Sequence, residues 1–95
     1  MRYYPINLDI KNRRCLVVGG GAVGTRKVNT LLDCGARVTV VSPDPTPQLK
    51  ELAAQGAIHL KQRPYRSDDV DQMFLVIGAT DDERLNRQIS NDAEQ

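Results

Sequence analysis

Apolar positions along the chain switch between continuous, helical and alternating patterns, and each switch marks an element. Leu16-Val17-Val18 is a short unbroken apolar run, the form of a strand buried on both faces of a parallel sheet, and it stops at Gly19-Gly20-Gly21. Val28, Leu31 and Leu32 then recur at i, i+3 and i+4, one stripe of an amphipathic helix, and Gly35 supplies its stop. Arg37-Val38-Thr39-Val40-Val41-Ser42 is rich in β-branched residues and predicts a second parallel strand, so the helix between the two makes a right-handed crossover. Pro43, Pro45 and Pro47 crowd the following loop until Leu49, Leu52 and Ala53 mark a second helix closed by Gly56.

Ala57 to Gln62 predicts a weaker third strand near an edge, and Pro64 to Asp71 a loop with one helical turn begun by Ser67. Met73 to Ala79 is the most apolar run and is expected as a central fourth strand. Thr80-Asp81-Asp82-Glu83 has the S/T-x-x-E form of a capping box, which makes Thr80 the cap of a helix whose apolar face is Leu85 and Ile89. At the other end, Tyr3 to Ile10 alternates loosely around Pro5, as in an edge strand or extended lead-in, and Lys11-Asn12-Arg13 is a turn. The elements together predict an α/β, Rossmann-like doubly wound parallel sheet of order 3-2-1-4. Such sheets take ligands at the carboxyl ends of the strands, where strand order reverses between the first and the fourth.

Within the three glycines lies G-x-G-x-x-G, read as Gly19, Gly21 and Gly24. Gly19 lets the chain turn out of the strand, Gly21 lets backbone approach a pyrophosphate, and Gly24 lets helix pack close on strand. The helix that starts there aims free N–H groups at an anion. Two residues compete for the ribose: Asp44, about twenty positions beyond the glycines, and Ser42 at the strand tip, with Pro43 between them. Asp44 fits a helix cap or turn residue equally well. No arginine directly follows the second strand, which favours NAD over NADP. Thr80 and Asp81 end the fourth strand beside the crevice and suit both capping and ligand contact. Arg26 and Lys27 lie where the helix dipole disfavours positive charge, so they are either solvated surface charges or neighbours of an anion.

Composition narrows the class without changing this picture. Ninety-five residues, 40% apolar and 26% charged, describe one soluble globular unit. A net charge of +1 gives no electrostatic reason to expect nucleic acid or a membrane surface as a partner. The first eight residues are too polar for a secretory signal and no apolar run spans a bilayer, so a cytoplasmic location is expected. Cys15 and Cys34 have neither metal nor redox spacing and are expected as small buried hydrophobes rather than a disulfide. His59, the only histidine, lies away from the crevice without acidic or cysteine neighbours in sequence, so no metal site is assigned.

The chain resembles the N-terminal domain of siroheme synthases, the precorrin-2 dehydrogenase and sirohydrochlorin ferrochelatase family. The resemblance rests on Pro5-Ile6-Asn7-Leu8, Cys15 to Gly21 with Val23, the Arg26-Lys27 pair, Gly35 to Pro43, and Ile77 to Asp82 with Asn86. It implies oxidation of precorrin-2 to sirohydrochlorin with NAD accepting hydride, in many members followed by insertion of ferrous iron. It places cofactor contacts on Ala22 and Val23 and on Pro43 and Asp44, and gives Arg26 and Lys27 a carboxylate-rich tetrapyrrole as neighbour. It also implies that the family's catalytic aspartate, the later strands and the segments that cover substrate and form a homodimer lie beyond Gln95. Residues 1–95 are then the NAD(P)-binding domain of a longer protein, inactive alone. The alternative is a nonenzymatic NAD-sensing regulatory domain of a potassium channel or transporter, which also carries Ala-Thr-Asp-Asp after a strand. Such modules place an acidic residue at the tip of the second strand, where this chain has Ser42-Pro43, and lack the lead-in and the Arg-Lys pair.

Overall fold

The sheet is set by one buried strand, β1 (Arg14–Val18), with β2 (Arg37–Val41) on one side and β4 (Leu75–Gly78) on the other; β3 (His59–Lys61) adds to β2, all parallel, in the order β3-β2-β1-β4. This computed structural model describes residues 9–94. The expected lead-in from Tyr3 lies largely outside them; Asp9 and Ile10 form no strand, although Ile10 is buried in the core. Residue Val17 pairs with Val40 and Ile77, so β1 has a strand on each side.

Side chains alternate across this sheet into two cores. Cys15, Val17, Val38 and Val40 pack with Val28, Leu31 and Leu49, contributed by helices α1 (Ala22–Asp33) and α2 (Pro47–Ala54). Leu16, Val18 and Val41 pack with Ile89 of α3 (Glu83–Ala93). Burial on both faces is the physical reason that β1 reads as a continuous apolar run instead of an alternating one. Gly35 and Gly56, at φ of +79° and +78°, follow the ends of α1 and α2, and their missing side chains permit the left-handed turn.

Two expectations are corrected. The Met73 to Ala79 run is not central: β4 pairs with β1 alone among the described strands, and Leu75, Val76 and Ile77 are only half-buried. Phe74, just before β4, is 48% exposed, with the Arg13 guanidinium 4.8 Å from its ring centre in a cation–π contact. Only one cysteine is buried. Cys15 lies inside the sheet, where burial pushes its thiol pKa up, whereas Cys34 is the exposed C-cap of α1, past the apolar stripe; both are free thiols.

The connection from β3 to β4 carries the expected single turn, a 3-10 turn over Ser67–Val70, and it is built around a buried carboxylate. Asp69 accepts two bonds from the Arg63 guanidinium, at 3.0 and 2.6 Å, and one from the Arg66 N–H at 2.8 Å, with the Lys61 ammonium 3.8 Å away. Nearby, the Tyr65 hydroxyl donates to Asp92 of α3 at 2.7 Å; burial, then this bond, pushes the phenol pKa well above its ordinary range. Burial by itself pushes the Asp69 carboxyl up, but the Arg63 and Arg66 hydrogen bonds and the charges of Arg63 and Lys61 outweigh it and hold the group below its ordinary value. A carboxyl depressed in the folded state stabilises fully above its unfolded pKa, roughly 3.9, and that contribution is lost as pH falls through the lower folded value. Asp69→Asn should therefore cost roughly 2–3 kcal/mol at pH 7, with the gap to wild type narrowing below about pH 4. Urea unfolding at a series of pH values measures this, and a gap independent of pH would contradict it.

Candidate functional site

The turn after β1 is closed by protein on three sides and open on one. Gly19 has φ of +117°, and an added Cβ would lie 2.6 Å from the Ala79 carbonyl oxygen. A Cβ on Gly24 would run into the Gly19 carbonyl oxygen, so this glycine lets α1 pack against the end of β1, as its place in the motif predicts. At Gly20 a Cβ would lie 2.7 Å from the Ser42 hydroxyl and 2.9 Å from the Pro45 Cα. Gly21 is different: an added Cβ would meet nothing within 4 Å. It is the N-cap of α1 and contributes no side-chain cap. The first helical bond runs from the Thr25 N–H to the Gly21 carbonyl at 2.9 Å, so the N–H groups of Ala22, Val23 and Gly24 precede the ladder and remain available to an anion.

Two threonines hold the turn. The Thr25 hydroxyl donates to the Gly21 carbonyl at 2.8 Å and lies 2.9 Å from the Thr46 hydroxyl. The Thr46 N–H donates to the Gly20 carbonyl at 2.9 Å, and its hydroxyl accepts from the Leu49 N–H at 3.3 Å as the cap of α2. Thr46, not Asp44, is therefore that helix's cap; Pro47 follows it at the first helical position.

A crevice of about 540 Å³ runs over the ends of β1 and β4, lined by Gly19 to Val23, Asp44 and Gly78 to Asp81. Of the sequence candidates, Gly19, Gly21, Ala22, Val23, Asp44, Thr80 and Asp81 meet here. Gly24 is buried beneath the turn. Ser42 is buried behind Gly20, its hydroxyl accepting from the Asp44 N–H at 3.2 Å, and Pro43 is exposed beside the crevice without lining it. The Ser42 hydroxyl thus shapes the loop that presents Asp44. Exposed Val23 supplies an apolar contact at the opening.

Thr80 does not cap α3. Asp82 does, accepting from the N–H groups of Arg84 and Leu85 at 3.0 and 3.2 Å, because the helix begins two residues later than a Thr80 cap requires. Thr80 is held instead by Asn86, whose Oδ1 accepts from the Thr80 N–H at 3.2 Å and whose Nδ2 donates to the Thr80 carbonyl at 2.9 Å. Arg26 does not line the glycine crevice but an adjoining groove along α1, with Thr46 and Gln48, that shares Ala22 with it; Lys27 is exposed. His59 is exposed on β3. Thr25 and Thr46 are not singled out in the sequence, and Gly20 and Asn86 enter it only as residues that carry the resemblance, with no role assigned, because the roles of all four lie in contacts between elements.

A strand, a glycine turn and a helix N-terminus facing a crevice at the reversal of strand order define a dinucleotide-binding domain of Rossmann type. The family described as "Putative NAD(P)-binding" matches residues 6–95, and the chain belongs to it. Among curated proteins, the chain is 51% identical over 90 residues to the siroheme synthase of Thioalkalivibrio sulfidiphilus, covering 95% of this chain and 18% of that protein. It is 43% identical over 95 residues to siroheme synthase 1 of Serratia proteamaculans, covering all of this chain and 20% of that one. The chain thus spans about a fifth of the length of these relatives. A solved structure titled "SirC, precorrin-2 dehydrogenase" superposes with a TM-score of 0.86 at 34% identity, over 93% of this chain and 44% of that one.

The glycine geometry separates folding from ligand access. Gly24→Ala should destabilise the chain by roughly 1–3 kcal/mol through overpacking, whereas Gly21→Ala, in open space at a negative φ, should cost only the glycine-to-alanine difference at an N-cap, under about 1 kcal/mol. Chemical denaturation of the two variants checks this, and equal losses would contradict the assigned division.

Proposed function

We propose that the chain is the NAD-binding part of a precorrin-2 dehydrogenase, oxidising precorrin-2 to sirohydrochlorin within siroheme biosynthesis. The observation that carries the reading is the open position at Gly21 in an otherwise closed glycine turn, backed by the first-turn N–H groups of α1. The site fits a dinucleotide: Gly21, Ala22 and Val23 would hold the pyrophosphate, Asp44 would take the adenosine ribose hydroxyls, and Thr80 and Asp81 would flank the nicotinamide half beyond β1. NAD is favoured over NADP because the crevice lining includes the Asp44 carboxylate and no arginine or lysine to meet a 2′-phosphate.

NAD, when bound, supplies the hydride acceptor. The chain's own contribution is to bind it, orient it and leave one side of the crevice open to a second reactant. The siroheme synthase relatives support this reading over a nonenzymatic nucleotide sensor of a channel or transporter. We extend it to a longer, cytoplasmic, homodimeric protein. Segments outside this chain would supply the catalytic aspartate and cover the tetrapyrrole, and there the same protein would insert ferrous iron as a lyase. No helix among the described residues is long and apolar enough to cross a membrane.

Calorimetric titration with NAD and NADP tests the cofactor assignment, with Gly21→Asp as the control that places a carboxylate where the pyrophosphate would lie. NAD should bind at least roughly tenfold more tightly than NADP, a difference of about 1.4 kcal/mol, and the control should abolish binding. Preference for NADP, or undiminished binding by Gly21→Asp, would count against the reading.

A further inference from the structure

The hydrogen bonds around Thr80 have one consistent polarity. A backbone N–H only donates and a backbone carbonyl only accepts, so the Asn86 amide, bonded to both on Thr80, has its orientation decided: Oδ1 toward the Thr80 N–H and Nδ2 toward the Thr80 carbonyl. That orientation points an acceptor at the Thr80 hydroxyl, which donates to Asn86 Oδ1 at 2.7 Å. The Asp82 carbonyl, at 3.0 Å, is a second internal acceptor for the same proton. One lone pair of the hydroxyl is used as well, accepting from the Asp82 N–H at 3.2 Å. A hydroxyl has one proton and two lone pairs. The proton is committed inside the protein, and what remains for the crevice is a lone pair.

Gly78 gives Asn86 room. A Cβ there would lie 3.0 Å from Asn86 Oδ1 and 3.4 Å from the Asn86 Cα, so a side chain at the end of β4 would press on Asn86 and shift it by a few tenths of an ångström. A residue of α3 thereby sets the polarity of a crevice wall at the end of β4.

We infer that the Thr80 hydroxyl, its proton taken by Asn86 Oδ1 or the Asp82 carbonyl, is an obligate hydrogen-bond acceptor that reads a donor on the nicotinamide half of the bound dinucleotide, with Asn86 the positioning residue that holds Thr80 at the crevice wall. The inference rests on the NAD reading above. With Asp44 on the β2 side of β1 and Thr80 on the β4 side, a dinucleotide crossing the glycine turn sets its adenosine toward Asp44 and its nicotinamide half toward Thr80. Two groups in that half carry donors, the ribose hydroxyls and the carboxamide N–H₂. A phosphate oxygen or a carboxylate presents only lone pairs and is disfavoured there.

Titrating the chain with NAD, nicotinic acid adenine dinucleotide, ADP-ribose and ADP tests the inference and identifies the donor. Thr80→Val should weaken NAD binding roughly three- to tenfold, the worth of one hydrogen bond, and leave ADP unchanged, while Thr80→Ser restores NAD affinity. Asn86→Ala, which leaves the Asp82 carbonyl to take the proton but releases the Thr80 backbone, should give a smaller loss that is still selective for NAD, whereas a purely structural defect would extend to ADP. If ADP-ribose suffers the same loss, the donor is a ribose hydroxyl; if NAD suffers it and the nicotinic acid dinucleotide does not, the donor is the carboxamide. Wild-type binding of NAD with equal losses for NAD and ADP, or no loss at all in Thr80→Val, overturns this inference while leaving the NAD reading intact. A wild-type chain that binds none of the four ligands removes both.

Discussion

Helix α1 packs directly on the end of β1, where Gly24 lies against the Gly19 carbonyl. A helix can begin there only if that residue has no side chain, and the geometry of the crevice depends on the contact. Because α1 starts directly over β1, its unbonded first-turn N–H groups sit at the ends of the strands, beside Gly21. Moving the helix outward by the width of one methyl group would carry these donors, and Gly21 with them, away from the ends of β1 and β4. Packing and ligand geometry are therefore one constraint at this turn, shared among four glycines that differ in what surrounds them.

Polar bonds then lock what packing brings together. Thr25 and Thr46 join the start of α1 to the cap of α2 through the carbonyls of Gly20 and Gly21, so the loop carrying Asp44 is tied at both ends to the glycine turn. Asn86 does the same across the gap between α3 and β4. Each link satisfies backbone groups that would otherwise be left without partners near the crevice, where an unpaired polar group is costly. The crevice walls are consequently held in place by the protein itself, which lowers the ordering cost of binding.

Stability is distributed differently on the two faces of the sheet. The face under α1 and α2 is mainly apolar, whereas the face under α3 combines a smaller apolar cluster with the Asp69 cluster and the Tyr65–Asp92 bond. A 95-residue chain has a modest core, and directional bonds at that edge supplement it. The half-buried β4 contributes to both faces, Leu75 and Ile77 to the α1 and α2 core and Val76 to the α3 cluster: its apolar run reads as a core strand, but it has only β1 as a sheet neighbour among the described strands.

Chain-local physics made much of this protein legible from its residues. Unbroken apolar runs, the Val28–Leu31 stripe and the glycine triplet sufficed for the elements, the strand order and the place of the crevice, because they reflect backbone periodicity and the unique freedom of glycine. The same local reasoning misassigned Thr80 and left Ser42 and Asp44 unresolved, since caps and loop contacts are chosen by competition among nearby polar groups. Tertiary packing decided that competition: Asn86 claims Thr80, Asp82 takes the cap, and Gly20 admits Ser42 behind the turn so that Asp44 faces the crevice. The buried Asp69 gave no sequence signal at all, because a carboxylate is read as solvated until the Arg63 and Lys61 side chains and the Arg66 N–H are folded around it.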